Sequence, residues 1–263
     1  MCRLTMTAAA AAVMLAVVGT IPDATASRLQ AAGMVPVGVR YLASSDSNRW
    51  RRDLEEMQRL RFNVVELQGE ASAAATTSLL SIDLLLAGAS DPRITRGTGV
   101  EPATVRVDAA TTAAEVRARA WSAFARSGSV VFADWRTLLA NADGLGAAAD
   151  FAAAVARNTP LYAPLRPIAP DTPSRRVRVS GGDEDVTVAL LESAEALVVI
   201  AVNHGTRPQI VTMTFSPDVP EAIWQNMLTG GAVNFVAGPD GPAYERAFAP
   251  HEVVVLMIRT RLR

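Results

Sequence analysis

Hydrophobic and polar positions follow two different patterns along this chain, and the change falls near residue 170. Before it, short apolar runs alternate with longer segments whose apolar residues recur every three or four positions. Such runs predict buried strands, and the longer period predicts amphipathic helices. After residue 170 the period falls to two and branched residues dominate, which predicts antiparallel strands. We therefore expect an α/β unit at 27–170 and an all-β unit at 171–263.

Four apolar runs predict strands in the first unit. They lie at 35–42, 61–69, 100–109 and 129–135. Strands that alternate with helices are joined by right-handed crossovers and form a parallel sheet. The first unit is therefore expected to contain four strand–helix units around one parallel sheet.

The predicted helices differ in how clearly their ends are marked. In the helix at 49–60, Trp50, Leu54 and Met57 share one face. The helix at 111–128 has Thr112 and Glu115 at capping-box spacing and a glycine at its end. Further helices are expected at 75–92, with an apolar stripe at Leu79, Ile82, Leu85 and Leu86, and within 145–165, where the helix ends before Pro160.

The second unit is predicted to be a β-sandwich. A proline-rich linker at 166–175 precedes it, and seven short runs of period two follow with glycine-rich turns between them. The runs lie at 175–180, 185–193, 196–204, 209–215, 221–227, 243–249 and 252–259.

The N-terminus has the pattern of an export signal. A basic residue precedes the apolar run AAAAAVMLAVVG, and Ala24-Thr25-Ala26 offers small residues for cleavage. We expect residues 1–26 to be a signal peptide and the mature protein to be exported, periplasmic or extracellular; a retained membrane anchor is the alternative. Cleavage after Ala26 also removes Cys2, the one cysteine. The net charge of −1 gives no case for a nucleic-acid partner or, after cleavage, for a membrane partner.

Two segments carry a resemblance to a known family. The segment 37–65 (VGVRYLASSDSNRWRRDLEEMQRLRFNVV) is similar to the first strand, first helix and second strand of (β/α)₈-barrel glycoside hydrolases of the family-42 β-galactosidase type. The segment 111–136 resembles the seventh helix and eighth strand of the same barrels, and the close of the chain, FAPHEVVVLMIR, is similar to their C-terminal β domain. The resemblance implies a protein that acts on or binds carbohydrate, with no cofactor, and the N-terminal pattern predicts that it is secreted.

The chain departs from that family in length and in one motif. From Val35 to Pro167 it has roughly half of the ~250 residues that a full barrel needs. The Asn-Glu dipeptide that carries the family's acid is absent from the sequence. We therefore expect a reduced, half TIM-barrel-like unit, and the missing motif argues against hydrolysis of an O-glycoside while the resemblance argues for it.

Glycoside hydrolysis uses two carboxylates, and in parallel α/β folds the site lies at the carboxyl ends of the strands. This rule selects Glu66, Asp108 and Asp134 as candidate catalytic residues. Substrate binding is assigned in the same way to three further residues near strand ends: Tyr41, Glu70 and Trp135.

Each of these assignments has a structural alternative. The alternative for Glu66 is a strand-end carboxylate that bonds an arginine or a helix N-terminus, and the alternative for Asp108 is a cap of the next helix. Trp135 fits burial against the closing helix, with Asp134 paired to Arg136. The chain would then be a non-catalytic carbohydrate-binding or assembly protein, for which the open edges of a half-barrel make a homo-oligomer plausible.

Other chemistries have little support in the sequence. His204 and His251 both lie in the β unit without metal-ligand spacing, so no metal site is predicted. Neither a phosphate-binding loop nor a nucleophile elbow is present.

Overall fold

The computed structural model describes residues 33–42, 46–68, 84–87, 102–168, 177–217 and 224–259. Four layers follow one another through this part of the chain: a parallel sheet, a layer of helices, a six-stranded antiparallel sheet and a four-stranded antiparallel sheet. One apolar core joins the parallel sheet, the helices and the six-stranded sheet, and a second core lies between the two antiparallel sheets. The predicted succession of a parallel sheet and antiparallel sheets is confirmed.

The parallel sheet has five described strands. They are β1 (Val37–Leu42), β2 (Val64–Gln68), β3 (Leu85–Ala87), β4 (Ala103–Val105) and β5 (Val130–Phe132). Their order across the sheet is β3-β2-β1-β5-β4, and every neighbouring pair is parallel. β1 is therefore the central strand, flanked on one side by the strands that follow it directly and on the other by the two that come last.

Five helices are described in this region. They are α1 (Ser47–Arg59), α2 (Ala113–Ser127), α3 (Trp135–Ala140), α4 (Ala142–Arg157) and α5 (Thr159–Tyr162). The predicted capping box of α2 is confirmed, because the Thr112 side chain accepts from the Glu115 backbone N–H and the Glu115 carboxylate accepts from the Thr112 N–H. Gly128 ends that helix in the left-handed conformation, with φ of 71°, which favours glycine. Of the described helices, none is long and apolar enough to cross a membrane.

One face of the parallel sheet, here called the helix face, packs against the helices. Its side chains alternate along each strand: Val37, Val39 and Tyr41 of β1 belong to the first core, as does Phe132 of β5. Trp50, Leu54 and Met57 of α1 are buried in the same core, as the sequence pattern predicts. The helix that joins β1 to β2 and the helix that joins β4 to β5 therefore cover the same side of the sheet.

Helix α2 is buried on nearly all sides because it lies between two sheets. It contacts β4 and β5 of the parallel sheet on one side and the six-stranded antiparallel sheet on the other. Small residues such as Ala118, Ser122 and Ala123 are buried along it and let both sheets approach. Trp121 and Phe124 fill the remaining space and meet Phe151 of α4 in edge-to-face contacts. A helix that packs against two sheets is expected to bury most of its surface in this way.

The antiparallel strands form two sheets. Their strands are β6 (Arg166–Pro167), β7 (Val177–Gly181), β8 (Val186–Glu192), β9 (Ala196–Asn203), β10 (Gln209–Phe215), β11 (Trp224–Asn226), β12 (Ala232–Val233), β13 (Val236–Gly238), β14 (Gly241–Phe248) and β15 (Val253–Arg259). The order is β12-β11-β15-β9-β8-β6 in one sheet and β13-β14-β10-β7 in the other. All seven predicted strands of this region are found, and Phe215, Trp224 and Phe248 fill the core between the sheets.

One predicted helix is wrong over the residues that the structure describes. Leu85 and Leu86, assigned to the apolar stripe of a helix at 75–92, lie in β3, which pairs with β2 in parallel. A short apolar run fits a buried strand as well as a buried helix, and here pairing with β2 decides between them. The parallel sheet therefore has five strands among the described residues, one more than the four predicted. The other residues of that predicted helix, except Leu84 and Ala87, lie outside the described part of the chain, as do the predicted signal peptide and most of the predicted linker.

Candidate functional site at the carboxyl ends of the strands

The second face of the parallel sheet, here called the Arg40 face, carries an ion pair at the carboxyl end of its central strands. β1 and β2 are in a register that sets Arg40 opposite Glu66. Arg40 Nε donates to Glu66 Oε1 over 2.8 Å. The Glu66 side chain is 5% exposed and that of Arg40 is 31% exposed. The pair is thus reached from solvent through the guanidinium.

Around this pair, the Arg40 face is closely packed. Gly38, Val64 and Val131 are in register on three adjacent strands, and both valines are buried. A Cβ on Gly38 would lie 2.3 Å from the Val64 carbonyl oxygen, so no larger residue fits there without moving the backbone. Two residues further along β1 and β2, toward their carboxyl ends, Arg40 and Glu66 follow this closely packed layer on the same face.

Glu66 was predicted either to act on a substrate or to bond an arginine, and in the structure its carboxylate bonds Arg40. A buried carboxylate is costly unless it is paired and hydrogen-bonded, and Arg40 provides both. Sequence reasoning missed Arg40. The one available signal was that Arg40 and Glu66 each lie near the end of adjacent predicted strands, and the pairing register was needed to connect them.

Asp108 is exposed and bound within its own turn after β4. Its carboxylate accepts hydrogen bonds from the Thr111 hydroxyl at 2.8 Å and from the Ala110 N–H at 2.9 Å. These bonds, led by the one from Thr111, hold the pKa of Asp108 below its usual value. Thr112, not Asp108, caps the next helix. Asp108 is thus ionised and oriented by its neighbours.

Asp134 caps helix α3. Its carboxylate accepts from the N–H groups of Arg136 and Thr137, each at 3.2 Å, and from the Thr137 hydroxyl. Burial raises the pKa of Asp134, but the Thr137 and backbone hydrogen bonds outweigh it and lower the pKa overall. The prediction that Asp134 and Trp135 end a strand is wrong, because β5 ends at Phe132 and Trp135 opens a helix.

The aromatic residues predicted to bind a sugar lie in the core. Trp135 is 1% exposed and meets Phe62 edge to face, at 6.4 Å between ring centroids. Tyr41 is also 1% exposed, stacks edge to face on Trp50 and donates its hydroxyl to Asp53 at 2.7 Å. Burial and the bond to Asp53 raise the pKa of Tyr41. Both side chains belong to the helix face, so neither presents a ring to a ligand in this structure.

The predicted residues are therefore not assembled by direct contacts. Glu66 meets Arg40, whereas Asp108 and Asp134 are each bonded within three residues of themselves. None of the described hydrogen bonds joins one predicted carboxylate to another. Glu70 lies outside the described residues. Over the described ranges, no group of three histidine, cysteine or acidic side chains is placed to hold a metal ion.

Comparison with known proteins gives a distant structural likeness. No protein-family model and no curated protein sequence matches the chain. The solved structures that resemble it include a GH42 β-galactosidase from G. stearothermophilus, at 19% identity, with 32% of this chain and 10% of that chain covered and a TM-score of 0.23.

Two others cover more of the chain. A noncanonic maltogenic α-amylase from Thermotoga neapolitana is 9% identical, with 84% of this chain and 61% of that chain covered and a TM-score of 0.42. A GH27 β-L-arabinopyranosidase from Geobacillus stearothermophilus is 10% identical, with 91% and 62% covered and a TM-score of 0.41. The structural neighbours are thus glycoside hydrolases, and the chain spans about a tenth of the β-galactosidase and just over three fifths of the other two.

Proposed function

We propose that this protein is a secreted, glycoside-hydrolase-like carbohydrate-binding protein built on a reduced βα barrel, and that it does not hydrolyse its ligand. The observation that carries the proposal is the order of the five parallel strands together with the Arg40–Glu66 pair on the face away from the helices. The sequence resemblance to family-42 β-galactosidases supplies the class of ligand.

The strand order favours a barrel that lacks its middle strands. The step from β1 to β2 and the step from β4 to β5 run in the same direction across the sheet. Right-handed crossovers that step in one direction place their helices on one face, which is where α1 and α2 lie. In a full barrel every crossover steps in the same direction and every helix lies on the outside. The first and last strands of a full barrel are neighbours, as β1 and β5 are here.

In such a barrel the Arg40 face is the inner face, and the carboxyl ends of its strands form the ligand site. Arg40 is the accessible charged group there, and a guanidinium donates hydrogen bonds to sugar hydroxyls through its free N–H groups. Glu66 holds that guanidinium in place. The antiparallel strands that follow would form the β-sandwich of the resemblance, packed on the outer helices.

The same contacts argue against hydrolysis. A retaining or inverting mechanism needs two carboxylates across the scissile bond, one of them a proton donor. The Glu66 carboxylate is occupied by its ion pair with Arg40, and hydrogen bonds lower the pKa of both Asp108 and Asp134. A lowered pKa makes each of these two aspartates a poor proton donor near neutral pH.

Calorimetric titration with galactosides and with maltooligosaccharides tests the binding proposal. We expect saturable binding to one of these classes that weakens in Arg40→Gln, while Arg178→Gln, an exposed arginine of the four-stranded sheet, leaves it unchanged. Absence of binding to both classes would contradict the proposal.

Hydrolysis is tested separately with nitrophenyl glycosides. We expect no turnover above that of the buffer. Turnover that disappears in Glu66→Gln would instead establish an enzyme in which Glu66 acts with Asp108 or Asp134.

A further inference from the structure

A second candidate site lies at the opposite end of the parallel sheet. A cavity of about 670 Å³ opens between the end of α4, the short helix α5 and the six-stranded sheet. Ala163, just after α5, lies 3.1 Å from the position of a Cβ on Gly33, which precedes β1. The cavity is therefore near the end where the strands begin, whereas Arg40 and Glu66 lie where they finish.

The inner part of the cavity is apolar and includes two methionines. Met257 is buried, and Met227 and Leu161 are partly buried. Gln225 pairs with Met257 across β11 and β15, so Gln225, Met227 and Met257 all point from the sheet toward the helices. Methionine is unbranched and polarisable, and it recurs at protein surfaces that accept varied apolar side chains.

The rim of the cavity carries two opposite charges without ion-pair partners. Arg157 is the last residue of α4, and Glu195 lies in the tight turn between β8 and β9. Both are exposed, and no described ion pair or side-chain hydrogen bond engages either one. The rim thus offers a guanidinium to an anion and a carboxylate to a cation.

Two side-chain amides complete the rim. Asn158 donates to the Ala154 carbonyl at 2.9 Å, and Gln225 makes a long contact to the Gly230 carbonyl at 3.5 Å. Their amide oxygens have no described donor. A side-chain amide both donates and accepts, as a peptide group does, so these two can bond to the backbone of an extended ligand.

We propose that this cavity binds a short peptide with aliphatic side chains. Glu195 receives the peptide's ammonium group, Arg157 its carboxylate, and the methionines its side chains. The volume lies within the 300–1,000 Å³ range of ligand pockets. None of the described residues that line the cavity is aromatic, and none of these eight offers a stacking platform for a sugar.

The probe is trileucine, titrated calorimetrically into the full chain, with N-acetylated and C-amidated trileucine as matched ligands. We expect Glu195→Gln and Arg157→Gln each to weaken trileucine binding about fivefold, the size of a partly exposed charge contact. Glu195→Gln should have no effect on the acetylated peptide, and Arg157→Gln none on the amidated peptide.

The outcomes separate this site from the carbohydrate site. Glu66→Gln, at the other end of the sheet, should leave trileucine binding unchanged. No binding of trileucine at millimolar concentration, or losses that are equal for blocked and free peptides, would overturn the proposal. Binding of an oligosaccharide that is weakened by Arg157→Gln would overturn it as well, since the cavity would then hold a sugar.

Discussion

The two faces of the parallel sheet differ in what they require of the sequence. The helix face is filled by large apolar side chains from two sides, with Trp50, Phe132 and Trp135 all at 1% exposure or less. The Arg40 face combines a glycine, two valines and an ion pair on the same strands. A salt bridge is a weak source of stability compared with the same volume of apolar packing. Apolar packing thus accounts for the helix face, whereas the ion pair adds little stability to the Arg40 face, and our proposal gives that pair a role in binding.

Trp121→Ala should have the largest effect, because it opens a cavity in the core that the helix face shares with the six-stranded sheet. The side chain is 1% exposed and touches Phe124, Phe151 and Tyr162. We expect a loss of about 3–5 kcal/mol in the free energy of unfolding, measured by urea denaturation. A loss below about 1 kcal/mol would mean that this core is not close-packed.

Gly38→Ala tests how tightly the Arg40 face is built. The added Cβ would meet the Val64 carbonyl oxygen at 2.3 Å, so β1 and β2 must separate. We expect a loss of about 1–3 kcal/mol by the same measurement, as for other overpacked sites. Gly146→Ala is the matched control, because nothing lies within 4 Å of its added Cβ; that change should stabilise α4 slightly, since alanine favours a helix more than glycine does.

Glu66→Gln sharpens the comparison between stability and binding. It leaves Arg40 without its charged partner, but Arg40 is about a third exposed and water can solvate it. We expect a loss of about 1–2 kcal/mol, less than the 3–5 kcal/mol of a fully buried pair. Arg40→Met with Glu66→Leu should restore most of that stability while removing carbohydrate binding. Retained binding in this double variant would show that the pair is only structural.

The smallest effect concerns pH. Hydrogen bonds from the Thr112 N–H and hydroxyl lower the pKa of Glu115 below its ordinary value of 4.5. A carboxyl with a lowered pKa stabilises the fold above its unfolded-state pKa, and this contribution is lost as pH falls through the folded-state pKa. Wild type should therefore exceed Glu115→Gln in stability by about 0.5 kcal/mol at pH 7. The gap should narrow below pH 4.5, as followed by thermal unfolding; a gap that is constant down to pH 3 would contradict this account.

Local signals in the sequence predicted much of the fold. The capping box of α2 and the Trp50, Leu54 and Met57 face of α1 follow from spacing alone, because residues within four positions determine them. The antiparallel strands follow from their period of two. In contrast, β3 was mistaken for a helix because its three residues carry no period of their own.

The candidate site was harder to predict because it depends on contacts distant in sequence. Arg40 and Glu66 are 26 positions apart, and only the register of β1 with β2 brings them together. Asp134 was misassigned for a different reason: a carboxylate after an apolar run reads equally as a strand end or as a helix cap, and its bonds to Arg136 and Thr137 decide for the cap. Tyr41 and Trp135 were assigned to substrate binding because they lie near predicted strand ends. A position near a strand end does not specify which face of the sheet a side chain packs on, and both side chains pack on the helix face.

Because α2 is packed from both sides, neither half of the chain can complete its interior without it. Cutting the polypeptide within 169–176 should leave two pieces that remain associated and melt together in a single transition. Expressed separately, the C-terminal piece would expose the flank of β9 and β15 that α2 covers, and we expect it to precipitate. A chimera that joins the C-terminal piece to another fold should therefore include α2 as well.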